Sequence, residues 1–157
     1  MSPMKADFVN PIYEATTDVL QSMLELDVKR GELKTSEELI SGNEANVAIG
    51  VTGDLSGSIL FSFSRDMALS MVESMAGMEV NELDKFVTSA LGEVANIISG
   101  NAATFLNQQD YDCDIVPPRV IIGENQSLSM ATDSVLVIPL KTDMGEFEIN
   151  LAIWSNK

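Results

Sequence analysis

The sequence predicts an α/β domain in which a mixed, largely antiparallel sheet carries two long helices on one face, with a shorter helix between two similar halves. Three observations predict it: two long stretches with apolar residues at helical spacing, several short β-like stretches divided by turn-forming residues, and a faint twofold repetition of the helix-then-strands order. At 157 residues and 45% hydrophobic content, the chain suits a single domain, 1–157, whose core needs neither disulfides nor a metal.

From Asn10 to Leu26, the residues Ile12, Leu20, Met23, Leu24 and Leu26 fall near helical spacing, with Asn10 as the expected cap and Pro11 at the first helical position. Gly31 and Gly42 bracket a charged stretch in which Leu33, Leu39 and Ile40 make a weak strand. Asn46 to Thr52 and Ser58 to Ser64 alternate better, and Gly53-Asp54-Leu55-Ser56-Gly57 reads as the hairpin connection between them. A short helix is expected from Asp66 to Ala76, ended by Gly77.

The longest periodic stretch, Asn81 to Gln108, places Leu83, Phe86, Val87, Ala90, Leu91, Val94, Ile98, Ala102 and Phe105 at intervals of three and four, which predicts a central helix with Phe86 in its apolar stripe. Beyond it, Cys113 to Val116, Val120 to Ile122, Val135 to Leu140 and Phe147 to Trp154 read as strands. Pro117-Pro118, Gly123 to Gln126 and Thr142 to Gly145 separate them. Trp154 is expected in the core or at a dimer seam. The repeat shows in the likeness of Val47 to Phe63 to Val135 to Ile149. It also shows in Glu14-Ala15-Thr16-Thr17, which stands in the first helix about where Glu93-Val94-Ala95-Asn96 stands in the central one.

Composition narrows the chemistry. Lys+Arg 9 against Asp+Glu 24 gives a formal net charge of −15, which repels phosphate backbones and anionic headgroups and argues against nucleic-acid and membrane partners. There is no His, so the commonest general base and metal ligand are both missing, and chemistry falls to carboxylates, amides and hydroxyls. The single Cys113 can form no internal disulfide and reads as a small buried hydrophobe. The N-terminal residues show no apolar run of a signal peptide, and no stretch is apolar for long enough to span a bilayer, so a soluble cytoplasmic protein is expected. Asp110-Tyr111-Asp112-Cys113-Asp114 opens like a calcium loop, but Ile115 stands where Gly is needed and Ile121 where Glu is needed, so no metal site is expected. Gly50, Gly53 and Gly57 lack the spacing of a nucleotide-binding loop.

Turning the central helix at about 100° per residue brings Ser89, Gly92, Glu93, Asn96, Ser99, Gly100 and Ala103 together opposite the apolar stripe. Asn101 falls on the apolar side, where it would satisfy buried backbone groups. Two interior helix glycines each cost roughly 1 kcal/mol relative to Ala, so their smallness must serve a neighbour: a packed element, or another protein that approaches the backbone.

The run Ser89-Ala90-Leu91-Gly92-Glu93-Val94-Ala95-Asn96-Ile97-Ile98-Ser99-Gly100-Asn101-Ala102, followed by Pro117, resembles the signature of the CheC, CheX and FliY phosphatases of bacterial chemotaxis. That pattern is Asp or Ser, three residues, Glu, two residues, Asn, then a more distant Pro, and Ser89, Glu93, Asn96 and Pro117 match it. The close match covers the central helix, while the strands match in pattern. CheC-like members carry two such motifs. This chain carries one, because Thr17 stands where the second amide would be, and so it resembles the CheX-like members.

The resemblance implies a CheC-like fold, a homodimer joined through the sheet, and hydrolysis of the aspartyl phosphate on a CheY-like response regulator. Asn96 would hold a water in line with phosphorus and Glu93 would pair with a lysine at the regulator's phosphorylation site. Ser89, Gly92, Ser99 and Gly100 would line the face that the regulator approaches. Mg2+ would be held by the regulator's acidic pocket, with no cofactor on this chain. An acyl phosphate has a good leaving group, so orienting the nucleophile can suffice without a strong general base. The alternative is a docking module without catalysis, in the manner of the flagellar-switch relatives, for which an amide at position 96 would not be needed.

Overall fold

In the computed structural model, which describes residues 6–36, 39–41, 43–123, 127–129 and 135–157, the order of elements repeats. The first half is α1 (Ala6–Leu24), β1 (Lys29–Arg30), β2 (Lys34–Ser36), β3 (Leu39–Ser41), β4 (Ala45–Gly53) and β5 (Leu55–Phe63). After α2 (Arg65–Ala76) come α3 (Lys85–Asn107), β6 (Cys113–Ile115), β7 (Arg119–Ile122), β8 (Ser127–Ser129), β9 (Val135–Thr142) and β10 (Gly145–Ser155). Each half is one helix followed by five strands, and α2 links them.

The pairing obeys the same twofold relationship. The main sheet runs β1-β9-β10-β5-β4-β6, with β2 also on β9 and β7 also on β4, while β3 and β8 form a separate two-stranded sheet. The hairpins β4–β5 and β9–β10 meet along β5 and β10, where Ile59 stands opposite Leu151. The short strands after α1 cross to the second half's β9, and those after α3 cross to the first half's β4. Every pairing described is antiparallel.

Alternation along the strands fixes which face carries the helices, because successive side chains point to opposite sides. Ala45, Val47, Ile49 and Val51 of β4, Ile59, Phe61 and Phe63 of β5, and Phe147, Ile149, Leu151 and Ile153 of β10 share one buried cluster with Phe8, Ile12, Val87, Leu91 and Ile98 of the helices. The intervening residues Leu60 and Ala152 form a smaller cluster with Val135 on the other face. Two buried polar side chains there are hydrogen-bonded to each other: Ser62 Oγ donates to Asn46 Oδ1 at 2.8 Å, and Asn46 Nδ2 donates in turn to the Asn43 carbonyl at 2.6 Å. Trp154 is half-buried on β10.

Local signals terminate the helices. Ser64 caps α2 by accepting from the Met67 amide at 3.3 Å, and Gly77 closes it at φ +69° with its amide donating to the Glu73 carbonyl at 3.0 Å. At Gly57, φ is +128° and a Cβ would run into the Ala152 carbonyl, so both backbone and packing require glycine at the sheet's centre.

Four expectations are corrected. Helix α1 begins at Ala6, so Asn10 is not its cap and Pro11 lies inside it. Burial explains the extension, since Phe8 and Val9 are in the core and the Phe8 ring meets Tyr111 edge-on at 5.3 Å. Burial of these residues outweighs the single amide that proline removes. Helix α3 starts at Lys85 and not near Asn81, because Asp84 Oδ1 accepts from the Val87 amide at 3.0 Å and caps it there. Phe86, expected in the apolar stripe, is 52% exposed. Asn101, expected on the buried side, is exposed. The short strands β1 and β8 are additions, held by pairing across the halves, while β2 and β3 both fall within the stretch expected as one weak strand. Gly42 and residues 124–126, expected as separators, lie outside the described residues.

Candidate functional site

Helix α3 presents the candidate residues because its opposite side is fixed. Val87, Leu91, Val94, Ala95, Ile98, Ala102 and Leu106 are buried, and the helix packs on α1 and the sheet. Glu93 and Ser89 are thereby turned to solvent, with Asn96 and Gly100 half-exposed beside them.

The side chains on this face differ in how far they are engaged. Thr88 and Thr104 return their hydroxyls to the Lys85 and Gly100 carbonyls, at 3.1 and 3.2 Å. Among the described residues, Glu93 and Asn96 have no hydrogen-bond or ion-pair partner. A carboxylate and a carboxamide one turn apart, both unengaged on a rigid helix, can meet groups of another molecule without first breaking internal bonds.

The face is narrower than the helical projection implies. Gly92 and Ser99, expected on it with Ser89 and Gly100, are buried, Ser99 at 1% exposure. They lie about 60° and 80° around the axis from Ser89, toward the side covered by the segment after the helix. A Cβ on Gly92 would sit 3.4 Å from Val120 Cγ2 and 3.7 Å from Pro118 Cγ, so its smallness admits the protein's own chain. The proline against the helix is therefore Pro118, and Pro117 is exposed. Ser99 Oγ has no hydrogen-bond partner among the described residues. Gly100 is different: a Cβ there would meet nothing within 4 Å.

The corresponding positions on α1 are not equivalent in chemistry. Glu14 is exposed as Glu93 is, but the Thr17 hydroxyl donates to the Tyr13 carbonyl at 3.0 Å, and the buried Thr16 hydroxyl donates to the Ile12 carbonyl at 2.8 Å.

Other titratable groups are arranged for structure. Burial, followed by the nearby carboxylates of Asp114, Asp112 and Asp54, pushes the Cys113 thiol above its ordinary range and keeps it protonated. Asp54 is tied down as well, since its Oδ2 accepts from the Asp112 amide at 2.8 Å. Among the described residues, no group of three or more His, Cys, Asp or Glu could hold a metal ion, and no helix is long and apolar enough to cross a membrane.

Sequence reasoning missed one member of the open face, Phe86. It stands seven residues before Glu93, which is two helical turns, and that spacing was the available signal.

An acid and an amide without a partner among the described residues thus stand on the open side of a packed helix, over a twofold-repeated antiparallel sheet. Residues 45–141 match the family model of the chemotaxis phosphatase CheX, and the chain belongs to that family. The CheY-P phosphatase CheX of Thermotoga maritima is 30% identical over 154 residues, covering 97% of this chain and 99% of the relative. A CheC-like superfamily protein from Shewanella sp. PV-4 superposes with a TM-score of 0.89 at 25% identity, over 97% of this chain and all (100%) of that one. The CheX–CheY–BeF3–Mg2+ complex from Borrelia burgdorferi contains a chain that superposes with a TM-score of 0.76 at 31% identity, over 95% of this chain and 99% of that one. The fold is CheC-like.

Proposed function

We propose that this chain hydrolyses the aspartyl phosphate of a CheY-like response regulator, with Asn96 orienting the attacking water and Glu93 pairing with the regulator's active-site lysine. The observation that carries the reading is that both side chains stand on the open face of a helix whose other side is locked into the core, without a hydrogen-bond or ion-pair partner among the described residues. Family membership and the phosphatase named among its relatives support the substrate.

The Asn96 carboxamide can accept from a water and donate to a phosphoryl oxygen at the same time, which aligns the water oxygen with phosphorus. As the new P–O bond forms, the bond from phosphorus to the aspartyl oxygen breaks, the carboxylate leaves with the electron pair, and the water's proton passes to the departing phosphate. A carboxylate leaving group makes a strong base unnecessary, so the absence of His is no obstacle. Mg2+ belongs to the regulator's acidic pocket, as the Mg2+-containing complex of the Borrelia relative suggests.

In this reading Ser89 and Gly100 lie under the docked regulator. Gly92 contributes from beneath by setting how α3 rests on Pro118 and Val120, and Ser99 is buried beneath the same face. The protein acts in the cytoplasm, as one domain over residues 1–157 and as a homodimer joined through the sheet, in line with the resemblance.

The test is phosphate release from a phosphorylated receiver domain with wild type and with Asn96→Ala. The variant is expected to lose a factor on the order of 10² in rate while still binding the receiver. Equal decay with both proteins would overturn the role of Asn96, and decay no faster with wild type than for the receiver alone would leave a docking module.

A further inference from the structure

Phe86 is the large apolar side chain that α3 leaves in solvent, at 52% exposure. It is held there firmly: Asp84 caps the helix two residues earlier, and the neighbouring Val87 is completely buried, which fixes the rotation of the first turn. Seven residues separate Phe86 from Glu93, a rise of about 10 Å with a rotation of only about 20°, so the ring and the carboxylate lie along one line of the helix. Ser89 lies about 60° and Asn96 about 80° around the axis from Phe86, so of the candidate pair it is Glu93 that shares the ring's line. Singly exposed apolar residues are ordinary on protein surfaces, so the weight falls on this alignment with Glu93.

Electrostatics supplies the second argument. A formal charge of −15 on this chain opposes its approach to an acidic pocket. Contact between Glu93 and one lysine offsets part of that repulsion, and a contact indifferent to charge can supply more. A receiver domain, about 30 Å across, that is seated on Glu93 and Asn96 spans the 10 Å to Phe86 and covers it.

We infer that Phe86 is an apolar anchor for the receiver, seated against an apolar patch beside the phosphorylation site, and that it sets affinity and not rate. The inference rests on the phosphatase reading of Glu93 and Asn96 and adds a residue that is absent from the motif.

The test measures kcat and KM for a phosphorylated CheY-like receiver with wild type, Phe86→Ala and Phe86→Leu. In parallel, Kd is measured for the same receiver charged with BeF3 and Mg2+. Phe86→Ala is expected to raise KM and Kd about tenfold with kcat within about twofold, and Phe86→Leu to recover most of the affinity. Because the ring is exposed, far-UV circular dichroism and the thermal midpoint should be unchanged. Unchanged KM and Kd in Phe86→Ala would overturn the anchor, and so would a fall in kcat at saturation. If wild type binds the charged receiver but does not hydrolyse the phosphate, the phosphatase reading fails and Kd alone decides the anchor. If wild type neither binds nor hydrolyses, both fail.

Discussion

Thr17 donates its hydroxyl to the Tyr13 carbonyl at 3.0 Å, which closes onto the backbone the α1 position that corresponds to Asn96. The repeat therefore keeps two similar helices but one free amide. Thr17→Ala is expected to leave phosphate release within about twofold of wild type, since no group that could orient a water is removed. A side-by-side assay with Asn96→Ala checks this. A large loss with Thr17→Ala would place α1 in the site.

Gly100 should show opposite signs in two measurements. No atom waits within 4 Å of a Cβ at this position, and its φ is not in the left-handed region. Gly100→Ala should then stabilise the isolated protein by about 0.5–1 kcal/mol through helix propensity. The thermal midpoint should rise by roughly 1–4 °C. The same methyl should raise KM for the receiver, because it stands on the face that the receiver covers. A variant both more stable and equally active would show that nothing approaches the helix there.

Asp84 holds the first turn of α3 through its bond to the Val87 amide at 3.0 Å. Asp84→Ala should cost about 1 kcal/mol in denaturant unfolding, with faster amide exchange at Val87. If Phe86 anchors the receiver, fraying of this turn should also raise KM and leave kcat in place.

Cys113 gives a prediction in pH. Burial and the carboxylates of Asp114, Asp112 and Asp54 raise its pKa above the ordinary 9.0 in the folded chain. The folded thiol keeps its proton where the unfolded one has lost it. This contribution to stability is fully present below pH 9.0 and is lost as the pH rises through the folded value. Iodoacetamide should modify the native protein more slowly than the denatured chain at the same pH, because burial and the raised pKa both reduce the accessible thiolate. Mass spectrometry against time would reveal an equally fast native reaction.

Much of the fold was legible because its signals are local. The alternation in β4, β5, β9 and β10 and the long period of α3 state which faces are buried. Gly77 ends α2 as a left-handed residue must, and the likeness between the halves reflects an actual exchange of strands. The misreadings came where tertiary contact decides. No local pattern foretells that Tyr111 will receive Phe8 and extend α1 past Pro11, or that β1 and β2 will find β9 across most of the chain.

At the candidate site, the 100° projection placed Ser89, Glu93, Asn96 and Gly100 on the open side, where the structure has them. It could not see that Pro118 and Val120 cover Gly92, nor that the first turn of α3 carries Phe86 outside the core. Periodicity locates the middle of an apolar stripe well. Its edges depend on what lies against them.

The exchange of strands between halves bears on how the protein is made. Strand β5 lies in the middle of the finished sheet, but its second neighbour, β10, emerges from the ribosome only after α2, α3 and four further strands. At about 5–20 residues per second, the edge of β5 waits on the order of ten seconds for its partner, with Ile59 and Phe61 ready to pair with any extended chain. Gly57 and the serines at 56, 58 and 62, which thin the apolar content of β5, make that waiting edge a poorer template for aggregation.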